Sequence, residues 1–137
     1  MSVIQGDGEY RYEITNDWAK VPPGMEWREV GSVTIDDKDQ VYVFNRGPHP
    51  MMVFDRDGNF LRSWGEGLFK NAHGAHYAPD GTVYLTDDGD HTVRKCTPEG
   101  KVLMTLGVAG RPGMPIVSST LPSSVHLRTV WSPSSVR

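Results

Sequence analysis

Two short tracts hold the residues best suited to chemistry: a histidine beside a glycine at His73-Gly74, and an arginine set in Arg46-Gly47-Pro48-His49. A neutral imidazole nitrogen is a metal ligand, and the adjoining glycine lets another backbone come close. A guanidinium placed where a strand meets its loop clamps a carboxylate or steadies a developing alkoxide through forked hydrogen bonds. Both residues also have a plainer use. His73 would satisfy a turn, and Arg46 would form a surface ion pair with a neighbouring aspartate. A catalytic zinc needs three protein ligands and an open fourth position, so one histidine does not make such a site.

The remaining candidates read as structure. His73 and His76 form an H-x-x-H pair, but alternation along a strand sends them to opposite sides, which excludes a shared chelate. His49 and His91 recur at a fixed offset, as a loop contact built into a repeat would. Asp55-Arg56-Asp57-Gly58 and Asp87-Asp88-Gly89-Asp90 lack the alternating aspartates and closing glutamate of a calcium loop and read as turns. The single Cys96 has no partner for an internal disulfide and reads as a buried core thiol.

What positions these residues is an internal repeat. A gapless offset of 42 lays Val41-Tyr42 on Val83-Tyr84, Gly47 on Gly89, His49 on His91, Gly58 on Gly100, Leu61 on Leu103 and Gly65 on Gly107. Inside each unit, short β-branched and aromatic runs alternate with Gly, Pro and Asp clusters, the punctuation of strands. Four strands fit the first unit, near 30–35, 41–45, 51–55 and 60–64, and four fit the second, near 74–77, 83–86, 92–96 and 102–106. Asp57-Gly58 and Glu99-Gly100 supply the turn between third and fourth strands. Tyr42, Tyr84, Phe54, Trp64 and Leu106 fall at core or inter-blade positions. Four-stranded units of this length are blades of a β-propeller, so the fold class is all-β with an incomplete propeller.

Gly 15 and Pro 10 in 137 residues agree with frequent turns, and helical periodicity is confined to a weak stretch at Trp18 to Lys20. With 14 Lys+Arg against 17 Asp+Glu, net −3 and interspersed, no basic face for nucleic acid emerges. No apolar run is long enough for a membrane span, and the N-terminus lacks the basic start and apolar core of an export signal, giving a cytoplasmic default. The chain divides into a lead-in segment at 1–29 with one strand at Tyr10, Tyr12 and Ile14, blade 1 at 30–65, blade 2 at 66–107, and a Gly/Pro/Ser-rich connector and disordered tail at 108–137. Two blades do not close a ring. This favours a propeller fragment, truncated or read out of frame after about residue 115, over a short protein with a flexible tail. Open blade edges would promote self-association.

The tracts Val41-Tyr42-Val43-Phe44-Asn45-Arg46-Gly47-Pro48-His49, Ala72-His73-Gly74-Ala75-His76 and Pro79-Asp80-Gly81-Thr82-Val83-Tyr84-Leu85-Thr86-Asp87 resemble NHL-repeat propellers. More narrowly, residues 27–107 resemble the peptidyl-α-hydroxyglycine α-amidating lyase group and its bacterial relatives. The resemblance implies a six-bladed propeller whose channel holds a zinc on three histidines, an arginine and a tyrosine nearby, and a structural calcium. Matched by motif, Arg46 is the counterpart of the active-site arginine and His73 of one zinc ligand, while the backbone carbonyls of Val33 and Ala75 fall where calcium binds. The other two histidines and the tyrosine belong to later blades. Blade 1 carries Gly31 at the position equivalent to His73. The expected parent is a metal-dependent lyase acting on a small or peptide-derived carbinolamide, with this fragment inactive alone. The alternatives are a non-catalytic NHL module that binds protein or ligand, and a lactonase-type propeller, whose acidic ligands are not evident in these blades.

Overall fold

The strand punctuation of the sequence is realised in the computed structural model, which describes residues 3–112. The expectations for the tail beyond residue 112 lie outside the described residues. Ten strands are formed: β1 (Val3–Asp7), β2 (Tyr10–Ile14), β3 (Val30–Ile35), β4 (Val41–Asn45), β5 (Met51–Phe54), β6 (Phe60–Trp64), β7 (Ala72–Tyr77), β8 (Val83–Asp87), β9 (Thr92–Cys96) and β10 (Val102–Leu106). β3 to β6 make one four-stranded antiparallel sheet and β7 to β10 a second, each in sequence order, while β1 and β2 form a separate hairpin. The fold is all-β, two propeller blades without a closed ring. No helix among the described residues is long and apolar enough to cross a membrane.

The turns follow their glycines. Gly58 at φ 79° and Gly100 at φ 95° take the left-handed conformation between third and fourth strands. In blade 1 the Asp55 side chain secures that turn, Oδ1 accepting from the Asp57 and Asn59 amides at 2.9 and 2.8 Å.

Alternation along the strands gives each blade two faces. Between the blades, Tyr42, Phe44, Met51, Val53 and Trp64 of blade 1 pack with Ala72, Val83, Leu85 and Cys96 of blade 2. Burial pushes the Cys96 thiol pKa up, as befits a core position. At the edge of this core Arg62 of β6 joins the blades, Nη2 donating to the Tyr42 hydroxyl of its own blade at 2.9 Å and to the Pro98 carbonyl of the next at 3.2 Å. Burial pushes the Tyr42 phenol up to about 12 despite that cation.

The other face of blade 1, Val43, Met52 and Phe54, is covered by Trp18, Ala19, Val21 and Met25 from the lead-in. The stretch around Trp18 to Lys20 forms no helix, and Lys20 bridges Asn59 in parallel. In one respect the structure departs from the sequence reading. The lead-in holds a hairpin rather than one strand, because Val3–Asp7 pairs with Tyr10–Ile14 across a turn at Gly8, φ 58°. Val3–Asp7 carries no apolar alternation, and this hid it from a periodicity argument.

Candidate functional site

The innermost strands, β3 and β7, lie side by side and are tied across the blade boundary. Thr34 Oγ1 accepts from the Tyr77 amide at 3.0 Å, and Ser32 Oγ donates to the Ala75 carbonyl at 3.4 Å. Val33 and Ala75, the two residues expected to offer carbonyls to calcium, therefore sit on adjacent inner strands, and one of those carbonyls already has a hydroxyl donor.

At one end of this strand pair both inner strands carry the same irregularity. Pairing of β3 with β4 slips between Val30 and Ser32, and pairing of β7 with β8 slips between Ala72 and Gly74. The extra residue is Gly31 in blade 1 and His73 in blade 2, equivalent positions of the repeat. His73 thus lies within β7, which begins at Ala72 rather than at Gly74 as the sequence suggests. His73 and His76 are both exposed. Gly31 has no room for a side chain: a β-carbon there would stand 2.7 Å from the Ala72 carbonyl oxygen and 2.8 Å from that of His73.

Arg46, just past the end of β4, reaches the same place. Its Nε donates to the Ala72 carbonyl at 3.2 Å and its Nη1 pairs with Glu29 at 2.7 Å. The plainer reading of Arg46 was an ion pair with an aspartate; its carboxylate partner is Glu29. The two residues singled out in the sequence, from different blades, are brought to one end of the inner-strand pair. In blade 2 the residue equivalent to Arg46 is Asp88, which accepts from Asn71, the equivalent of Glu29, at 2.5 Å. The contact is kept while its polarity is inverted, so the cation occurs in blade 1 alone.

What fixes this end is a side chain that the sequence reading passed over. Asn45 Oδ1 accepts from the Arg28 and Gly47 amides at 3.2 and 2.7 Å, while its Nδ2 donates to the His49 and Pro50 carbonyls. Its equivalent, Asp87, does the same work without a donor group. It accepts from the Lys70 amide at 2.6 Å, Asn71 at 3.0 Å, Gly89 at 2.9 Å and Asp90 at 3.1 Å. Each side chain pins the chain entering the inner strand of its own blade to the loop leaving the second strand, and both are buried. A polar residue recurring at the end of an apolar strand was the available signal. The tract Asp87-Asp88-Gly89-Asp90 is accordingly a turn. His49 serves its loop, with Nδ1 2.9 Å from Glu66 Oε1.

Behind the loop lies the one charge cluster buried among the described residues. Arg94 Nη2 donates to Asp90 Oδ2 at 2.5 Å and Nη1 to Thr92 Oγ1 at 2.6 Å, with Asp87 Oδ2 3.8 Å away. Burial pushes the Asp90 carboxyl up, but the Arg94 and Thr92 hydrogen bonds outweigh it and hold the group below the usual carboxylate range. Glu66, bonded to His49, is lowered as well, and Asp80, bonded by Lys95, is lowered to about 2. Folded carboxyls with depressed pKa values bind fewer protons than the unfolded chain, so their contribution is full above about pH 4–5 and lost as pH falls further. The urea midpoint is therefore expected to hold steady from pH 7 to about pH 5 and to fall below that. Asp90→Asn, less stable at neutral pH, should show a shallower fall; an unchanged acid limb would exclude Asp90 as a source.

Among the described residues no three His, Cys, Asp or Glu side chains are placed to hold one metal ion. His73 fits a zinc ligand by type and exposure, but these two blades do not complete a zinc site.

No protein-family profile matches the chain. Individual proteins do. A mouse peptidyl-glycine alpha-amidating monooxygenase is 27% identical over 142 residues, covering 79% of this chain and 14% of that protein. A Drosophila melanogaster peptidyl-alpha-hydroxyglycine alpha-amidating lyase 1 is 33% identical over 90 residues, 61% of this chain and 17% of its own length. Human NHL repeat-containing protein 3 is 34% identical over 82 residues, 53% and 23%. The chain is similar to amidating-lyase and NHL-repeat proteins. It spans less than a quarter of the length of each of these relatives, and the NHL-type propeller resemblance read from the Arg46 and His73 tracts agrees with them.

Proposed function

We propose that these two blades are part of a larger NHL-type propeller with metal-dependent carbon–nitrogen lyase activity of the peptidyl-α-hydroxyglycine kind, and that the 137 residues alone are inactive. One observation carries the reading: Arg46 of blade 1 bonds the carbonyl of Ala72, the residue before His73 of blade 2, at the inner-strand end. In this reading His73 is one zinc ligand, further blades supply the others, and the carbonyls of Val33 and Ala75 face a structural calcium. Zinc would polarise the substrate hydroxyl when bound. The part derived from this chain is electrostatic: Arg46, held in place by Glu29 and the Ala72 carbonyl, presents a fixed cation to an oxygen that gains negative charge as the carbinolamide breaks.

A second reading, a non-catalytic NHL module binding protein or ligand, draws support from the two partners Arg46 already has and from the similarity to NHL repeat-containing protein 3. The source DNA separates them. Translating all three frames beyond codon 105 is expected to show further Val-Tyr strand units with His-Gly motifs; the protein rebuilt from them would bind zinc at unit stoichiometry and lose it on His73→Ala. Absence of such units in every frame, or a rebuilt propeller that binds no zinc, overturns the lyase reading.

A further inference from the structure

The repeat specifies what belongs in front of blade 1. Leu85, Arg94 and Cys96 of blade 2, on the face that receives blade 1, are equivalent to Val43, Met52 and Phe54, the face that receives Trp18, Ala19, Val21 and Met25. The equivalence extends to individual groups. Trp64, ending β6, lies over the Gly100 turn, its ring 2.6 Å from where a β-carbon would stand. Trp18 lies over the equivalent Gly58, where a β-carbon would overlap the Trp18 carbonyl oxygen. The Pro98 carbonyl accepts from Arg62 of blade 1 at 3.2 Å, and the equivalent Arg56 carbonyl accepts from Trp18 Nε1 at 3.0 Å. The Lys20 amide adds a bond to the Gly58 carbonyl at 2.8 Å. The lead-in thus occupies, on blade 1, the place that the outer strand of blade 1 occupies on blade 2.

Among the described residues a lone hairpin and the outer edges of the two blades, β6 and β10, pair with no further strand. The β1–β2 hairpin immediately precedes Trp18, touches no other strand, and exposes Val3, Ile4, Tyr10, Tyr12 and Ile14. A two-stranded hairpin is marginal by itself in water, so this one needs a sheet to join. At the far end of the described fold, β10 is an edge strand with a free row of backbone groups and exposed Val102 and Leu103. Its last residue, Leu106, is equivalent to Trp64, so blade 2 has no tryptophan to lay over a following turn. Blade 1 already bears one, Trp18, delivered by the segment that also carries the hairpin.

We propose that the protein associates head to tail by strand addition, the β1–β2 hairpin of one copy extending the sheet of a second copy along the free edge of β10. Main-chain hydrogen bonds supply the attraction and the exposed apolar side chains the complementarity. The contact is heterologous, because hairpin and β10 edge are different surfaces, so copies add in rings or chains rather than only in pairs. Neither zinc nor lyase activity enters this inference.

The test uses Tyr12→Lys, which blunts the hairpin, and Leu103→Lys, which blunts the β10 edge. Sedimentation velocity of the full chain is expected to show concentration-dependent species larger than a monomer, and each variant alone should sediment as a monomer. Mixed in equal amounts the two variants should form a heterodimer, since one keeps a working hairpin and the other a working edge. Deleting residues 3–14, which leaves Trp18 in place, should abolish association while preserving the β-sheet circular dichroism. A wild-type chain that stays monomeric overturns the proposal, as does association that survives the deletion. Variants that fail to complement each other point to a two-fold contact instead and overturn it equally.

Discussion

Arg94→Met is expected to lower the unfolding free energy by about 3–5 kcal/mol, the usual cost of removing one partner of a buried ion pair. Arg94 is 7% exposed and is bound by Asp90 and Thr92, with Asp87 in range. Its guanidinium carbon also stands 5.3 Å from the Phe69 ring centroid. Methionine would fill much of the volume but leave the Asp90 carboxylate buried without its cation. The repeat shows that methionine is acceptable when the carboxylates are absent. At the equivalent position blade 1 carries Met52, fully buried, with Asn45 in place of Asp87 and Pro48 in place of Asp90. Adding Asp87→Asn and Asp90→Asn to Arg94→Met should therefore recover most of the loss. Urea unfolding followed by tryptophan fluorescence measures both steps, and a single-variant cost under about 1 kcal/mol would place the pair in the class of exposed, weak ion pairs.

This cluster illustrates where sequence reasoning stopped. Blade architecture was legible because it rests on short-range rules that the repeat states twice: β-branched runs, turn glycines at 58 and 100, and apolar residues such as Tyr42 and Phe54 in register. The Arg94 cluster was not, because a charged residue in a strand ordinarily reads as a solvated position. Its burial depends on Asp87 at the end of β8 and Asp90 in the loop that follows. The bulge at His73 was hidden for a related reason. Strand periodicity counts residues on one chain, whereas a bulge is a mismatch in count between two, and only the partner strand β8 reveals it. Arg46 and His73 were found individually by motif, but their meeting at Ala72 depends on how blade 2 docks on blade 1, which no local pattern encodes.

Gly31→Ala should test that docking directly. Gly31 is not in a left-handed conformation, so alanine brings no backbone strain, and the effect comes from contact alone. The new methyl would meet two backbone carbonyl oxygens, of Ala72 and His73, at 2.7 and 2.8 Å, with the His73 α-carbon at 3.2 Å. Backbone atoms of a paired strand cannot rotate away as a flexible side chain would. Either the inner strands part or the β7 bulge shifts, at a cost of about 1–3 kcal/mol for overpacking a close contact. The shift would strike the Arg46–Ala72 bond first. The His73 imidazole proton shifts should move in NMR spectra while Cys96 and Leu85, deeper between the blades, stay protected from exchange. An alanine variant with wild-type stability and an unmoved His73 would mean that the blades are not seated as close at this end as the structure has them. If the variant behaves as expected, the reason blade 1 carries glycine where blade 2 carries histidine is steric: the first bulge gives up its side chain because the backbone of the second, at Ala72 and His73, packs directly against it.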